Sequence, residues 1–117
     1  MSTLFIVNDP PYGTERVYNA LRLANALAKA GANAQITVFL MADAVLAANA
    51  NQKTPDGYYN VERMLRRVIA SGGKVLLCGT CMDARGITEE QAIKGARRST
   101  MDELASETAS AERVLVF

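Results

Sequence analysis

The sequence predicts an α/β fold in which a parallel sheet of about five strands is covered by helices on both faces. The predicted strands are short apolar runs that do not alternate in polarity, which is typical of strands buried on both faces. Segments with helical spacing separate these runs, and strands that alternate with helices pair in parallel through right-handed crossovers. With 117 residues, the chain is predicted to form a single three-layer α/β/α domain over residues 1–117.

The first half of the chain predicts two strands and two helices. Residues 4–7 form an apolar run that stops before Pro10 and Pro11, because proline cannot continue a strand. Between positions 17 and 27 apolar residues recur at spacings of three and four, which predicts a helix with Thr14 as N-cap and Gly31 as its end. The next elements are a strand at 36–40, a short alanine-rich helix at 41–50 and a turn-rich loop at 49–60.

The second half predicts three strands and three helices. A helical stripe of apolar residues begins at Val61, with Asn60 as N-cap and residues 71–73 as the stop. Thr88 and Gln91 have capping-box spacing, which predicts a short helix. The remaining elements are a strand at 75–77, a weak strand at 96–99, a helix from Thr100 to about residue 111 and a last strand at 114–117.

The composition excludes several classes of protein. The chain has 13 basic and 12 acidic residues and a formal charge of +1, without a long run of one sign, so we expect no nucleic-acid partner and no membrane surface. No apolar run approaches the ~20 residues of a membrane span, and the N-terminal segment lacks the basic region of a signal peptide. We therefore expect a cytoplasmic protein, in a compartment where cysteines stay reduced.

The only two cysteines, Cys78 and Cys81, form a CxxC motif, and the chain contains no histidine. The absence of histidine excludes Cys–His and Ser–His–Asp catalysis and zinc sites with histidine ligands. Two thiols cannot complete a tetrahedral metal site unless two chains share it, so we predict no metal and no cofactor. Disulfide exchange and transfer of sulfane sulfur as a persulfide remain, since a thiolate performs both with little help from a base.

Cys78 follows the third predicted strand directly, at the edge where parallel sheets place their active sites. Backbone N–H groups of a turn at Gly79, and Arg85 as a cationic neighbour, are candidates for lowering the pKa of Cys78. The alternative is that both cysteines are small core residues, because free cysteine is often buried.

Other side chains are candidate neighbours of the thiols. Asp43 follows the second strand and could orient a partner or move a proton, or it could be an N-cap without chemical role. Asp83 could cap or lie on the surface, and its charge would raise the pKa of a nearby thiol. Tyr58 and Tyr59 could cover the cysteines, contact a partner or pack at a subunit interface.

Several stretches together resemble the DsrE/DsrF-like superfamily, and specifically its YchN-like branch. They are PYGTERVYNALRLA (11–24), VFLMADAV (38–45), QKTPDGYYNVERML (52–65), LCGTCMDARGI (77–87), TMDELASET (100–108) and the terminal VLVF. The resemblance implies a parallel five-stranded sheet of order 4-3-2-1-5 and assembly into homotrimers or homohexamers. Relatives in sulfur-relay complexes carry a persulfide on a cysteine seven residues before an Arg-Gly pair, a position that Cys78 occupies relative to Arg85.

These observations lead to one leading hypothesis and one main alternative, and a metal site shared between two chains through Cys78 and Cys81 stays open as a third hypothesis. In the first, Cys78 accepts sulfane sulfur from a donor protein and passes it to an acceptor, Arg85 stabilises the thiolate, and Cys81 resolves the persulfide or a mixed disulfide. Neither donor nor acceptor is identified by the sequence. In the alternative, the chain is a non-catalytic oligomeric module that binds partners, and its cysteines are structural.

Overall fold

A parallel sheet of five strands runs through the centre of the molecule, for which a computed structural model describes residues 1–117. The strands are β1 (Ser2–Val7), β2 (Gln35–Leu40), β3 (Lys74–Cys78), β4 (Ala96–Ser99) and β5 (Arg113–Val116). Their order is β4-β3-β2-β1-β5, and all four pairings are parallel. The predicted strand number, pairing and order are therefore confirmed.

Four helices connect the strands. They are α1 (Arg16–Ala30), α2 (Val61–Ala70), α3 (Gly79–Ala84) and α4 (Met101–Ser110), and short 3-10 segments lie at Ala42–Ala48 and Glu89–Gln91. Helices α1 and α2 pack against each other, as expected for two right-handed crossovers in the same direction. The connection from β4 to β5 runs in the opposite direction across the sheet, which places α4 on the other face. This is the predicted three-layer arrangement.

The core lies between the sheet and α1 and α2. Phe5, Phe39 and Leu76 on the central strands are fully buried, and α2 contributes Val61 and Leu65 from one face. The predicted N-caps of α2 and α4 are confirmed, because the side chains of Asn60 and Thr100 accept hydrogen bonds from the N–H groups three residues ahead. No helix has the length and apolar character needed to cross a lipid bilayer.

The start of α1 differs from the prediction. The helix begins at Arg16, and Glu15 is at the N-cap position without a capping side-chain bond, so Thr14 is not the N-cap. The Thr14 hydroxyl instead donates to Asp9 at 2.9 Å and accepts from the Arg16 N–H at 3.3 Å. It therefore organises the turn ahead of the helix. Gly31 does end α1, in extended rather than left-handed conformation.

Two predicted helices are 3-10 segments, and one helix was not predicted. Residues 41–50 contain the 3-10 segment Ala42–Ala48, and the capping box of Thr88 and Gln91 is present but begins only one 3-10 turn. Helix α3 begins directly after Cys78, where we had expected a turn. Six residues are too few to show a helical repeat of apolar positions, and Met82 is its only fully buried large side chain.

The tight approach at Gly73, between α2 and β3, gives a test of the fold. A methyl group there would lie 2.7 Å from Val68 Cγ1 and 3.0 Å from the Ile36 carbonyl oxygen. We expect Gly73→Ala to lower the free energy of unfolding by about 1–3 kcal/mol, because backbone must move to make room. Denaturant unfolding measures this. Gly31→Ala is the control, since its methyl would lie 3.9 Å from Ala34 Cβ; equal loss in both variants would contradict the packing.

Candidate functional site

The two cysteines lie at the carboxyl edge of the sheet, where β2, β3 and β4 end side by side. Cys78 is the last residue of β3 and pairs in register with Ser99, the last residue of β4. Leu77 pairs with Leu40 at the end of β2, so the chain leaving β2 at Met41 passes next to Cys78. The predicted position of Cys78 at this edge is confirmed.

Cys78 is buried, with 5% of its surface exposed, yet its sulfur has a polar neighbour. Its Sγ lies 3.4 Å from the Thr80 hydroxyl oxygen. Burial acts most strongly on the pKa of Cys78 and raises it. Hydrogen bonds from the side chains and backbone N–H groups of Cys81 and Thr80 together outweigh burial, and the net pKa of Cys78 is lowered. Although it is buried, Cys78 therefore has a pKa below the ordinary value of a thiol.

The pKa of Cys81 is shifted in the opposite direction, above its ordinary value. It lies one turn into α3, half-buried, and its Sγ accepts a hydrogen bond from the Ala42 N–H at 3.2 Å. Burial and the neighbouring Cys78 raise the pKa of Cys81 more than the Ala42 N–H and the charge of Arg85 lower it. The pair is therefore asymmetric, since Cys78 favours the thiolate and Cys81 the protonated thiol that donates to it.

Ala42 holds an unusual backbone conformation at this contact. Its φ is 51°, in the left-handed region that residues with a Cβ seldom adopt, at a cost of roughly 1–2 kcal/mol. The same residue donates its N–H to Cys81. The chain leaving β2 is therefore bent at the point where its backbone meets the second thiol.

Arg85 and Asp43 form an ion pair beside Cys81. The Arg85 Nε lies 2.8 Å from Asp43 Oδ1, and its Nη1 donates to the Cys81 carbonyl oxygen at 3.0 Å. These bonds join the end of α3 to the 3-10 segment after β2. Asp43 is not an N-cap, because Met41 occupies that position. All four predicted site residues therefore lie together, although the contacts of Arg85 are with Cys81 and Asp43.

Arg98 on β4 is a neighbour of Cys78 that the sequence analysis did not find. A methyl group on Gly79 would lie 2.7 Å from the Arg98 Nε, so the guanidinium packs directly against the start of α3. Both of its terminal nitrogens bind the Asp83 carboxylate at 2.8 Å. This pairing raises the pKa of Arg98, to which the nearby Cys78 also contributes. Thr80, which lies inside the CxxC motif, is a second missed neighbour, and no local motif singles out Arg98.

Tyr58 and Tyr59, which were candidates for covering the thiols, lie instead beside residues of α1 and α2. Their rings stack on each other with centroids 4.6 Å apart and contact Tyr12 and Tyr18, against α1 and α2. No group of three or more histidine, cysteine, aspartate or glutamate side chains is arranged to hold a metal ion. The chemistry of the edge site is accordingly that of two thiols, two arginines and two carboxylates.

Comparison with known proteins identifies the family of this chain. The model of the DsrE/DsrF-like family matches residues 1–117. The chain belongs to the DsrE/DsrF-like family. Protein YchN of Escherichia coli is 43% identical over 114 residues, which are 97% of either chain, and the uncharacterized protein MJ0989 of Methanocaldococcus jannaschii is 34% identical over the full length of both.

Solved structures share the fold of this chain. The crystal structure of E. coli YchN superposes with a TM-score of 0.93 at 44% identity and covers all of both chains. The protein of unknown function MTH1491 from Methanobacterium thermoautotrophicum has a TM-score of 0.78 at 12% identity, covering 99% of this chain and 97% of its own, which shows the shared fold alone.

The asymmetric pKa shifts predict different pH dependences of the two thiols. Mass spectrometry of alkylated peptides across a pH series should give a lower midpoint for Cys78 than for Cys81, because Cys78 accepts more hydrogen bonds. Cys81→Ala and Thr80→Val should each raise the Cys78 midpoint, and Cys78→Ala should lower that of Cys81. Thr108→Val on α4 is the control. A Cys78 midpoint at or above that of Cys81 would contradict the assignment.

Proposed function

We propose that this protein is a sulfur-relay carrier in which Cys78 holds sulfane sulfur as a persulfide. The observation that carries the proposal is the environment of the Cys78 sulfur, whose pKa is lowered by Thr80 and Cys81 despite burial. A thiolate is the reactive form for sulfur transfer, and a lowered pKa raises the fraction of Cys78 in that form at a given pH. Membership in the DsrE/DsrF-like family supports the same role.

Loading is a thiolate displacement. The Cys78 thiolate attacks the outer sulfur of a donor persulfide, a new S–S bond forms, and the donor's S–S bond breaks. The donor thiolate leaves with the electron pair, and the proton stays on the transferred sulfur. Transfer to an acceptor thiolate is the same displacement with Cys78 as the leaving group.

Cys81 gives the persulfide a second route. The Cys81 thiolate attacks the inner sulfur on Cys78, forms a Cys78–Cys81 disulfide and releases hydrosulfide. An external dithiol then reduces the disulfide in two exchange steps. Cys78, the N-cap of α3, and Cys81, three positions later, are neighbours at the start of the helix, which suits this resolving role. The raised pKa of Cys81 disfavours its thiolate, which slows release through this route.

The two arginines have separate roles in this mechanism. Arg98, packed on Gly79, supplies positive charge near the Cys78 thiolate, and Asp83 holds the guanidinium in place. Arg85 and Asp43 fix the far end of α3 against the segment that carries Ala42, so that the N–H of Ala42 stays on Cys81. Arg85 thus acts on the second thiol and on the geometry of the pair.

A second candidate function is favoured by the burial of Cys78. With 5% of its surface exposed, the thiol is reached only after neighbouring side chains move, which also suits a structural cysteine in a partner-binding module. The edge strand β5 carries Val114 and Val116 in exposed positions, a surface suited to self-assembly as a trimer or hexamer.

Persulfide loading separates the two functions. Incubation with a protein persulfide donor, followed by intact mass measurement, should add one sulfur atom to the wild type and none to Cys78→Ser. Cys81→Ser should load and retain the sulfur longer, because the resolving route is removed. No added sulfur on the wild type, or equal loading of Cys78→Ser, would exclude the carrier role and leave the structural one.

Arg98→Gln tests the electrostatic role of the guanidinium. In this variant, we expect the rate of alkylation at Cys78 to fall about two- to fivefold at neutral pH, because a partly exposed positive charge near the thiolate is lost. Arg97→Gln is the matched control, since Arg97 is the preceding residue of β4 and pairs instead with Glu103. Equal rates in the two variants would remove Arg98 from the mechanism.

A further inference from the structure

The groove between α1 and α2 is lined by three arginines and three tyrosines. One part of the groove has a volume of about 320 Å³ and an adjoining part about 560 Å³, and the two share Arg22, Met64 and Arg67. Arg63 lies one helical turn before Arg67 on α2 and faces the first part. No residue of this groove belongs to the thiol site, and no acidic residue lines either part.

These three arginines have no carboxylate partner. Of the nine arginines in the chain, five form ion pairs within the protein, namely Arg16, Arg66, Arg85, Arg97 and Arg98. Three of the remaining four converge on this one groove. Arg22 donates to Asn19 and lies 5.4 Å above the Tyr18 ring, which holds it in place. The groove is therefore a positively charged surface whose counter-charge the protein does not supply.

The tyrosines form a stacked wall at one end of the groove. The Tyr18 and Tyr59 rings are 4.1 Å apart between centroids, and the Tyr59 and Tyr58 rings 4.6 Å, both at 20° between planes. Burial and a hydrogen bond with Tyr58 raise the pKa of Tyr59 to about 12, so this wall carries no negative charge at neutral pH. Tyr58 is the outer ring of this wall, with 52% of its surface exposed.

We propose that this groove binds a nucleotide, with its base stacked on Tyr58 and its phosphate held by Arg63, Arg67 and Arg22. Stacking on tyrosine accepts any base, and the planar guanidinium matches phosphate oxygens in pairs. The volumes of the two parts fall in the range of small-molecule sites. An inorganic anion would use the arginines but leave the aromatic wall without a partner.

Calorimetric titration of the whole protein with AMP, adenosine and inorganic phosphate tests this site. We expect AMP to bind at least about tenfold more tightly than either fragment, because only AMP engages both ring and charges. Arg63→Gln and Arg67→Gln should each weaken AMP binding by about tenfold, and Tyr58→Ala should weaken AMP more than phosphate. A single-stranded oligoadenylate that binds more tightly than AMP would identify the nucleotide as part of a strand.

Arg113→Gln is the control variant, because Arg113 is also exposed and unpaired but lies on β5. This variant also removes one positive charge, but Arg113 does not line the groove. It should therefore leave AMP binding unchanged. Absence of AMP binding at millimolar concentration, or equal weakening by Arg113→Gln, would overturn the proposal. It would also be overturned if Arg63→Gln or Arg67→Gln dissociates an oligomer and AMP has no effect on the wild type, since the groove would then be an interface between copies of the chain.

Discussion

The balance between burial and hydrogen bonding at the Cys78 sulfur determines what this site can do. A buried thiol without donors keeps its proton, because the low-dielectric interior disfavours the charged form. Here β3 passes directly into α3, the Thr80 hydroxyl lies 3.4 Å from the sulfur, and Thr80 and Cys81 together lower its pKa despite burial. The thiol is therefore both shielded and ionisable, a combination that a turn without these donors would not provide.

Helix α3 depends on its surroundings to hold this geometry. Six residues form a marginal helix in isolation, since a helical nucleus is costly and few backbone bonds repay it. Ion pairs attach it to the neighbouring strand connections, with Arg98 of β4 on Asp83 and Asp43 after β2 on Arg85. Both pairs are partly exposed, so their value lies more in fixing orientation than in adding stability.

The strands and the cysteine position could be predicted because they depend on local patterns. Apolar runs and capping spacings are visible in the sequence. Helix α3 could not be predicted in this way, because its six residues are too few to show a repeating pattern of apolar positions. Arg98 lies 17 positions beyond Cys81 on an exposed strand position, and only the pairing of β4 with β3 brings it to Gly79. Likewise, the pairing of Arg85 with Asp43 follows from side-chain packing, which residue spacing does not encode.

The left-handed Ala42 persists because the segment around it is fixed on several sides. Ala44, Val45 and Ala47 after it are buried in the core, which leaves the 3-10 segment little freedom to turn. The Gln52 side chain donates to the Ala47 carbonyl oxygen and accepts from the Tyr12 hydroxyl. Backbone strain survives where neighbouring contacts over-determine the conformation. The Ala42 N–H on Cys81 is thus held by packing that extends to the tyrosine wall, and this bond limits how far burial and Cys78 raise the pKa of the second thiol.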